Sequence, residues 1–400
     1  MKPRLLIALL AAMAVLPLTA QKYLKPVKDD LKARQAANAL NKIKALEADS
    51  AAKDDPKLYD LAVEAEIMLN DAENEKIYLK QPCDTAKFFG SLLDIYRYAL
   101  KADSVESLTL EDKGKPTPRR KKNAALLKNL YPNLGFAGRY YYDRRQYAVA
   151  TTYLQVFLDM PGSALWKHLQ PVPADARYRA NAYCYLKSAF LSENYAAVPR
   201  YADIVLTDTL VHQNAMEMLA ISARAVNDTL AYLKYLNEGL ASHPDAPFFF
   251  TNLSDYYMGR GEYDKALSLA ESQLQNDTTN LCFLAGKSLA LLKLHRYDES
   301  IAISQKMLAA DSTLADVYYN IGACYCNLAN EIPLPPNVNS AQFRSAKKQV
   351  AALYVEARPY VERYRALRPD AQTLWAPLLY RIYLELNEGK LFDEIDKLLK

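Results

Sequence analysis

Cys324-x-Cys326 and Gly259-x-Gly261 are the two spacings in the chain whose residue types suggest chemistry by themselves: half of a thiolate metal site, and the opening of a dinucleotide-binding turn. Neither is completed. Residues two apart on a helix project to different sides, no second cysteine pair stands at zinc-site spacing, and "MGRGEYD" lacks the rest of the glycine fingerprint. The four histidines, His168, His212, His243 and His295, are isolated in the sequence, and no His-Glu-x-x-His, Gly-x-Ser-x-Gly or phosphate-loop motif occurs. No catalytic residue, metal ligand or cofactor is therefore assigned, and the chain reads as non-enzymatic. Five cysteines leave at least one outside any disulfide scheme, and Cys324 and Cys326 read as packing residues.

The elements that must carry any site are helical. Of 400 residues 51% are hydrophobic and 24% charged, enough to bury substantial cores, while only 11 are glycine, too few for a hairpin-rich β protein. Residues 1–20 form a separate object: Lys2 and Arg4 precede the apolar run "LLIALLAAMAVLPL", and small residues follow at Thr19 and Ala20. This pattern predicts a signal peptide cleaved after Ala20, an exported chain that is periplasmic or secreted, and no membrane span in the mature protein. Losing two cations lowers the net charge from +4 to +2, too near neutral to suggest a nucleic-acid partner. The run "KGKPTPRRKK", Lys113 to Lys122, reads as a solvated linker.

A tyrosine followed three residues later by a small or aliphatic residue recurs at Tyr147/Ala150, Tyr195/Val198, Tyr263/Ala266 and Tyr297/Ser300, with Thr229 in the tyrosine's place between the second and third. From 195 to 297 the pitch is a constant step, the mark of a stacked repeat. The next pair arrives late, as Tyr354/Ala357, after the proline-broken "EIPLPP". The sequence thus predicts an insertion at 331–353 between the two helices of one repeat, with its loop a candidate for partner contact.

These features resemble the tetratricopeptide repeat family. Tyr318, Ile321, Gly322 and Tyr325 match the Trp-x2-Leu-Gly-x2-Tyr element with Tyr for Trp, and Leu134, Ala137, Gly138 and Tyr141 match it again. Gly261, Tyr263 and Ala266 carry the middle of the motif, and Ala357 and Pro369 its end. The resemblance implies an all-α, right-handed α-solenoid of helix-turn-helix units over 131–400, with an N-terminal helical cap at 21–130 that reads as possible worn repeats. The repeat at 281–314 departs from the pattern, with Lys287 and Ser288 where Leu-Gly belongs.

In this family the inner face of the first helices binds peptides, which implies a concave surface lined by Arg139, Tyr142, Tyr183, Lys187, Asn214, Glu217, Arg224, Asn252, Asp255, Tyr319 and Asn320. Asn252 and Asn320 are the candidates for holding an extended backbone through paired amide bonds. The partner expected is a protein or peptide. The alternative is a glycan, for which Tyr380 and Tyr383 are the candidate platform. Seven Asp-Ser/Thr-x triplets resemble an O-glycosylation sequon of some Gram-negative bacteria and mark Ser50, Thr85, Ser104, Thr209, Thr229, Thr278 and Ser312, although Asp-Ser and Asp-Thr also make helix caps.

Overall fold

The computed structural model describes residues 23–49, 52–108, 116–167 and 175–400. The expected signal peptide, Ser50, His168 and the start of the basic run lie outside these residues. Among the described residues every regular element is helical. Their organising feature is a turn. Arg34, Lys80, Arg145, Glu193, Asn227, Gly261, His295 and Asn387 all hold a left-handed backbone, with φ from 56° to 72°. Such a residue just past a helix lets the following N–H reach back to an unsatisfied carbonyl of the last turn. Gln35, Gln81, Gln146, Asn194, Glu262, Arg296 and Glu388 each make that bond, at 2.8–2.9 Å. Positions 193, 227, 261 and 295 are evenly spaced, so the period seen in the tyrosines is a period of hairpin turns.

The chain forms two compact units, divided between Asn227 and Asp228. In the first, α1 (Lys25–Lys32) and α2 (Ala36–Glu47) make one hairpin, and α3 (Pro56–Tyr78) and α4 (Thr85–Ser107) a second. Val27, Leu31, Ile43, Leu58 and Ala62 are fully or almost fully buried in a common core, as the 3.6-residue spacing requires. The same left-handed turn closes these hairpins as closes the later ones, which gives the N-terminal region repeat-like construction. Next come α5 (Pro118–Asp143) and α6 (Tyr147–Asp159). The expected boundary at 130/131 falls inside α5. Leu165 and Trp166, beyond the end of α6, are buried, and Trp166 packs on Tyr131 at 4.9 Å. The unit ends with α7 (Ala176–Leu191), a 3-10 segment (Tyr195–Tyr201), α8 (Ala202–Val205) and α9 (His212–Ala225). Pro199 has no N–H to give, which accounts for a second helix that starts as 3-10.

The described part of the basic run is not a linker. Thr117 caps α5 by accepting from Arg120 N, and Pro118 occupies the first turn. Arg119 bonds Asp60 at 2.8 Å and also Glu106, while Arg120 grips buried Asp103 with two bonds of 2.6 and 3.0 Å. Like-charge repulsion is overridden because carboxylates of α3 and α4 meet two of the cations. Only Lys121 and Lys122 stay exposed.

The second unit holds α10 (Thr229–Ser242), α11 (Pro247–Gly259), α12 (Tyr263–Leu274), α13 (Leu281–Lys293) and α14 (Tyr297–Ala310). It continues with α15 (Ala315–Glu331), α16 (Ala341–Leu367), α17 (Gln372–Glu385) and α18 (Gly389–Leu399). The tyrosine-plus-small pair opens α12 and α14 here and α6 in the first unit, and the small partners Ala150, Val198, Ala266, Ser300 and Ala357 are all fully buried. The insertion is smaller than expected as a loop. Pro333, Pro335 and Pro336 end α15, but Ser340 caps a new helix by accepting from Phe343 N, so irregular chain is confined to 332–340. Residues 341–353 are an N-terminal extension of the displaced second helix. Cys324 and Cys326, on α15, are buried in two different hydrophobic clusters.

Candidate functional site

The first helices α11, α13 and α15 lie side by side in the second unit and enclose a cavity of about 340 Å³. Gly286 sets their spacing: a Cβ there would fall 2.7 Å from Phe250 Cζ, so only glycine lets α13 come this close to α11. Phe250, Thr251 and Asp255 contribute from α11, Gly286, Ser288 and Leu289 from α13, and Asp316, Tyr319 and Asn320 from α15. Tyr319 and Tyr364 of α16 meet at 5.2 Å, and burial raises the pKa of both phenols.

Among these lining residues is a buried polar network. Asn320 is 8% exposed, and its Nδ2 donates to Ser288, Ser300 and Ser304, the last two at 3.1 and 3.3 Å. Ser288 Oγ in turn lies 2.6 Å from Ser304 Oγ, and Ser300 Oγ donates to the Ser288 carbonyl at 2.8 Å. The amide oxygen of Asn320 is buried with no hydrogen-bond donor among the described residues. The donor side of this amide is committed and its oxygen is buried without a partner among those residues. Ser288, which breaks the repeat motif, is thus the centre of the network. Its departure from the pattern was the sequence signal for a site, alongside Ser300 in place of the usual alanine.

Asp255, Tyr319 and Asn320 were all expected on this face and do come together. Asn252 does not join them: its Oδ1 accepts from Tyr232 at 3.2 Å and its Nδ2 donates to the Phe248 carbonyl at 2.8 Å. Both ends of that amide are engaged, so the expected backbone clamp fails there. Sequence reasoning missed Asp316, Ser304 and Tyr364, which reach the cavity from the start of α15, from α14 and from the displaced α16.

Of the expected residues of the first unit, Arg139, Tyr142, Tyr183 and Lys187 contact other side chains of the same unit. Arg139 Nη1 donates to Asn181 Oδ1 at 2.9 Å, and Lys187 Nζ sits 4.8 Å from the Tyr142 ring and 4.9 Å from that of Tyr183. Glu217 accepts from Gln213 at 3.0 Å, Asn214 is exposed on α9, and Arg224 lies in its last turn.

Other expectations change in the structure. Tyr383 is 2% exposed and donates to Glu362 at 2.9 Å, and Tyr380 packs on Phe392 at 4.7 Å. Both belong to the C-terminal core, and the glycan platform is lost. His295 is not isolated: its Nδ1 is 2.9 Å from Glu331 and 2.7 Å from the Tyr297 hydroxyl. The Tyr297 phenol is pushed up to about 12, first by burial and then by Glu331, and that carboxyl is lowered, chiefly by its bond to His295. This trio pins the last turn of α15 where the repeat is interrupted. Of the sequon residues, Ser104, Thr209, Thr229, Thr278 and Ser312 are exposed and Thr85 half-buried. Asp84 and Asp228 act as helix caps, whereas Asp277 and Asp311 accept from Thr279 and Thr313, one residue beyond the sequon hydroxyl.

No protein-family model and no curated protein matches the chain. Solved structures similar to it include the TPR2AB domain of yeast Sti1 in complex with pHSP90, 11% identical with a TM-score of 0.25, covering 67% of this chain and 99% of that one. Yeast Tom70 is 12% identical with a TM-score of 0.31, covering 90% and 84%. The human IFIT1 dimer with PPP-AAAA is 14% identical with a TM-score of 0.26, covering 92% and 87%. On its own geometry, the chain is an all-α protein of helical hairpins whose even turn spacing and buried small residues are those expected of tetratricopeptide repeats.

Proposed function

We propose that this chain is an exported, non-enzymatic scaffold that binds a protein segment on the first-helix face of its second unit. The observation that carries the reading is the open Asn320 acceptor beside a cavity whose volume lies at the low end of the ~300–1,000 Å³ typical of ligand sites. A buried polar group left without a partner costs stability, which favours a role completed by a ligand. Stacked hairpins present a preformed surface, so little ordering is needed on binding. Two carboxylates at the cavity speak for protein and against nucleic acid. Leu334 and Val338 in the loop at 332–340 are exposed and form a second candidate contact.

Placing a photocrosslinking amino acid at Thr251 or Leu289 tests this directly in cells, with Leu398 of α18 as an exposed control. Protein adducts are expected from the two cavity positions and not from Leu398. Absence of adducts at both cavity positions removes the groove reading, and a chain retaining residues 1–20 in the cell removes export.

A further inference from the structure

The cavity is one-sided in charge. Its charged lining residues are Asp255 and Asp316, both exposed, and neither forms an ion pair among the described residues. Cations around it are already engaged: Lys287 pairs with Glu271 at 2.9 Å, and Arg368, near enough to feel Asp316, holds Asp370 at 3.0 Å. Among the polar groups, the Asn320 donor is spent on the serines while its acceptor is open. Apolar walls come from Phe250, Leu289, Val317 and Leu374. Such a site offers negative charge and apolar walls, so an occupant that brings positive charge together with apolar surface is complementary to it.

We infer that the occupant is an extended protein segment in which an apolar side chain, seated in the cavity, is flanked by lysine or arginine reaching Asp255 and Asp316. This rests on the groove reading above and specifies its ligand. An acidic segment, or a single-stranded nucleic acid, meets like charge at the same rim.

The test uses the chain from residue 21 to 400 and three peptide libraries, each with a fixed central leucine flanked by Lys, Gln or Glu and randomised elsewhere. Fluorescence anisotropy is expected to show the Lys library binding about five- to ten-fold tighter than the Gln library, the scale of two partly exposed charge contacts. That advantage shrinks in high salt. It disappears in the Asp255→Asn/Asp316→Asn variant, whose helical circular-dichroism spectrum, matching that of the parent chain, reports an intact fold. Equal or tighter binding of the Glu library, or competition by a single-stranded oligonucleotide, overturns the charge inference while leaving the groove in place. If no library binds and a crosslinker at Thr251 captures no peptide, the groove reading fails and the inference falls with it.

Discussion

The face of the first unit and the cavity of the second carry the same kinds of residue, asparagine, tyrosine and charge on first helices, yet they differ in what meets the charge. In the first unit Arg139 is answered by Asn181 and Lys187 by two tyrosine rings, although the buried Asn181 Nδ2 itself has no acceptor among the described residues. In the second, the Asn320 oxygen is unpartnered and neither Asp255 nor Asp316 forms an ion pair among the described residues, Arg368 near Asp316 being held by Asp370. Residue type on an inner face therefore does not identify a site. What distinguishes the second face is that its unpartnered amide belongs to the lining of a cavity that also carries two exposed carboxylates.

The comparison breaks most visibly if the first unit's polar contacts are dispensable. Asp103→Ala leaves Arg120, itself 22% exposed, without its two bonds, and is expected to cost about 3 kcal/mol in urea unfolding, near the lower end for a broken buried pair. A loss below about 0.5 kcal/mol would mean that the closed state of this unit is decorative. Asn320→Ala comes next. Removing a donor shared by three buried serines should cost about 1–3 kcal/mol, against about 1 kcal/mol for Asn181→Ala, which loses one bond to a half-exposed arginine. Equal losses would erase the contrast between the two amides.

How much of this contrast was readable beforehand follows from what each residue depends on. The hairpins were readable because Tyr147, Tyr263 and Tyr297 open second helices and the buried small residues follow at a fixed spacing, a local property. Asp255, Tyr319 and Asn320 fall together in one cavity lining for the same reason. Asn252 occupies the repeat position equivalent to Asn320, and periodicity alone cannot tell them apart; Tyr232, from the preceding helix, decides it. The arginines near 119 looked solvated because their partners, Asp60, Asp103 and Glu106, are distant or unordered in sequence pattern. Tyr380 and Tyr383 looked available because nothing local shows that α18 and Glu362 cover them.

A smaller effect concerns a buried carboxyl of the first unit. Glu66 of α3 is 6% exposed, and its carboxyl is raised to about 7, first by burial and then by Asp94. In the unfolded chain the same carboxyl releases its proton near 4.5, so the folded chain binds more protons between about 4.5 and 7. Stability should fall as pH rises through that window, and Glu66→Gln should flatten the profile there. A profile that keeps its slope in the variant would assign it to other groups.

The smallest expected effect concerns Lys187. Held between Tyr142 and Tyr183 and half-buried, it gains from two ring faces but remains in contact with water, where each such contact is worth about 0.5–1 kcal/mol. Lys187→Met keeps the aliphatic packing and removes only the charge, so a loss of about 1 kcal/mol or less in unfolding is expected, with no change in binding of the Lys-flanked library. A larger effect on binding than on stability would reverse the contrast, because the ammonium would then be serving a ligand rather than its own tyrosines.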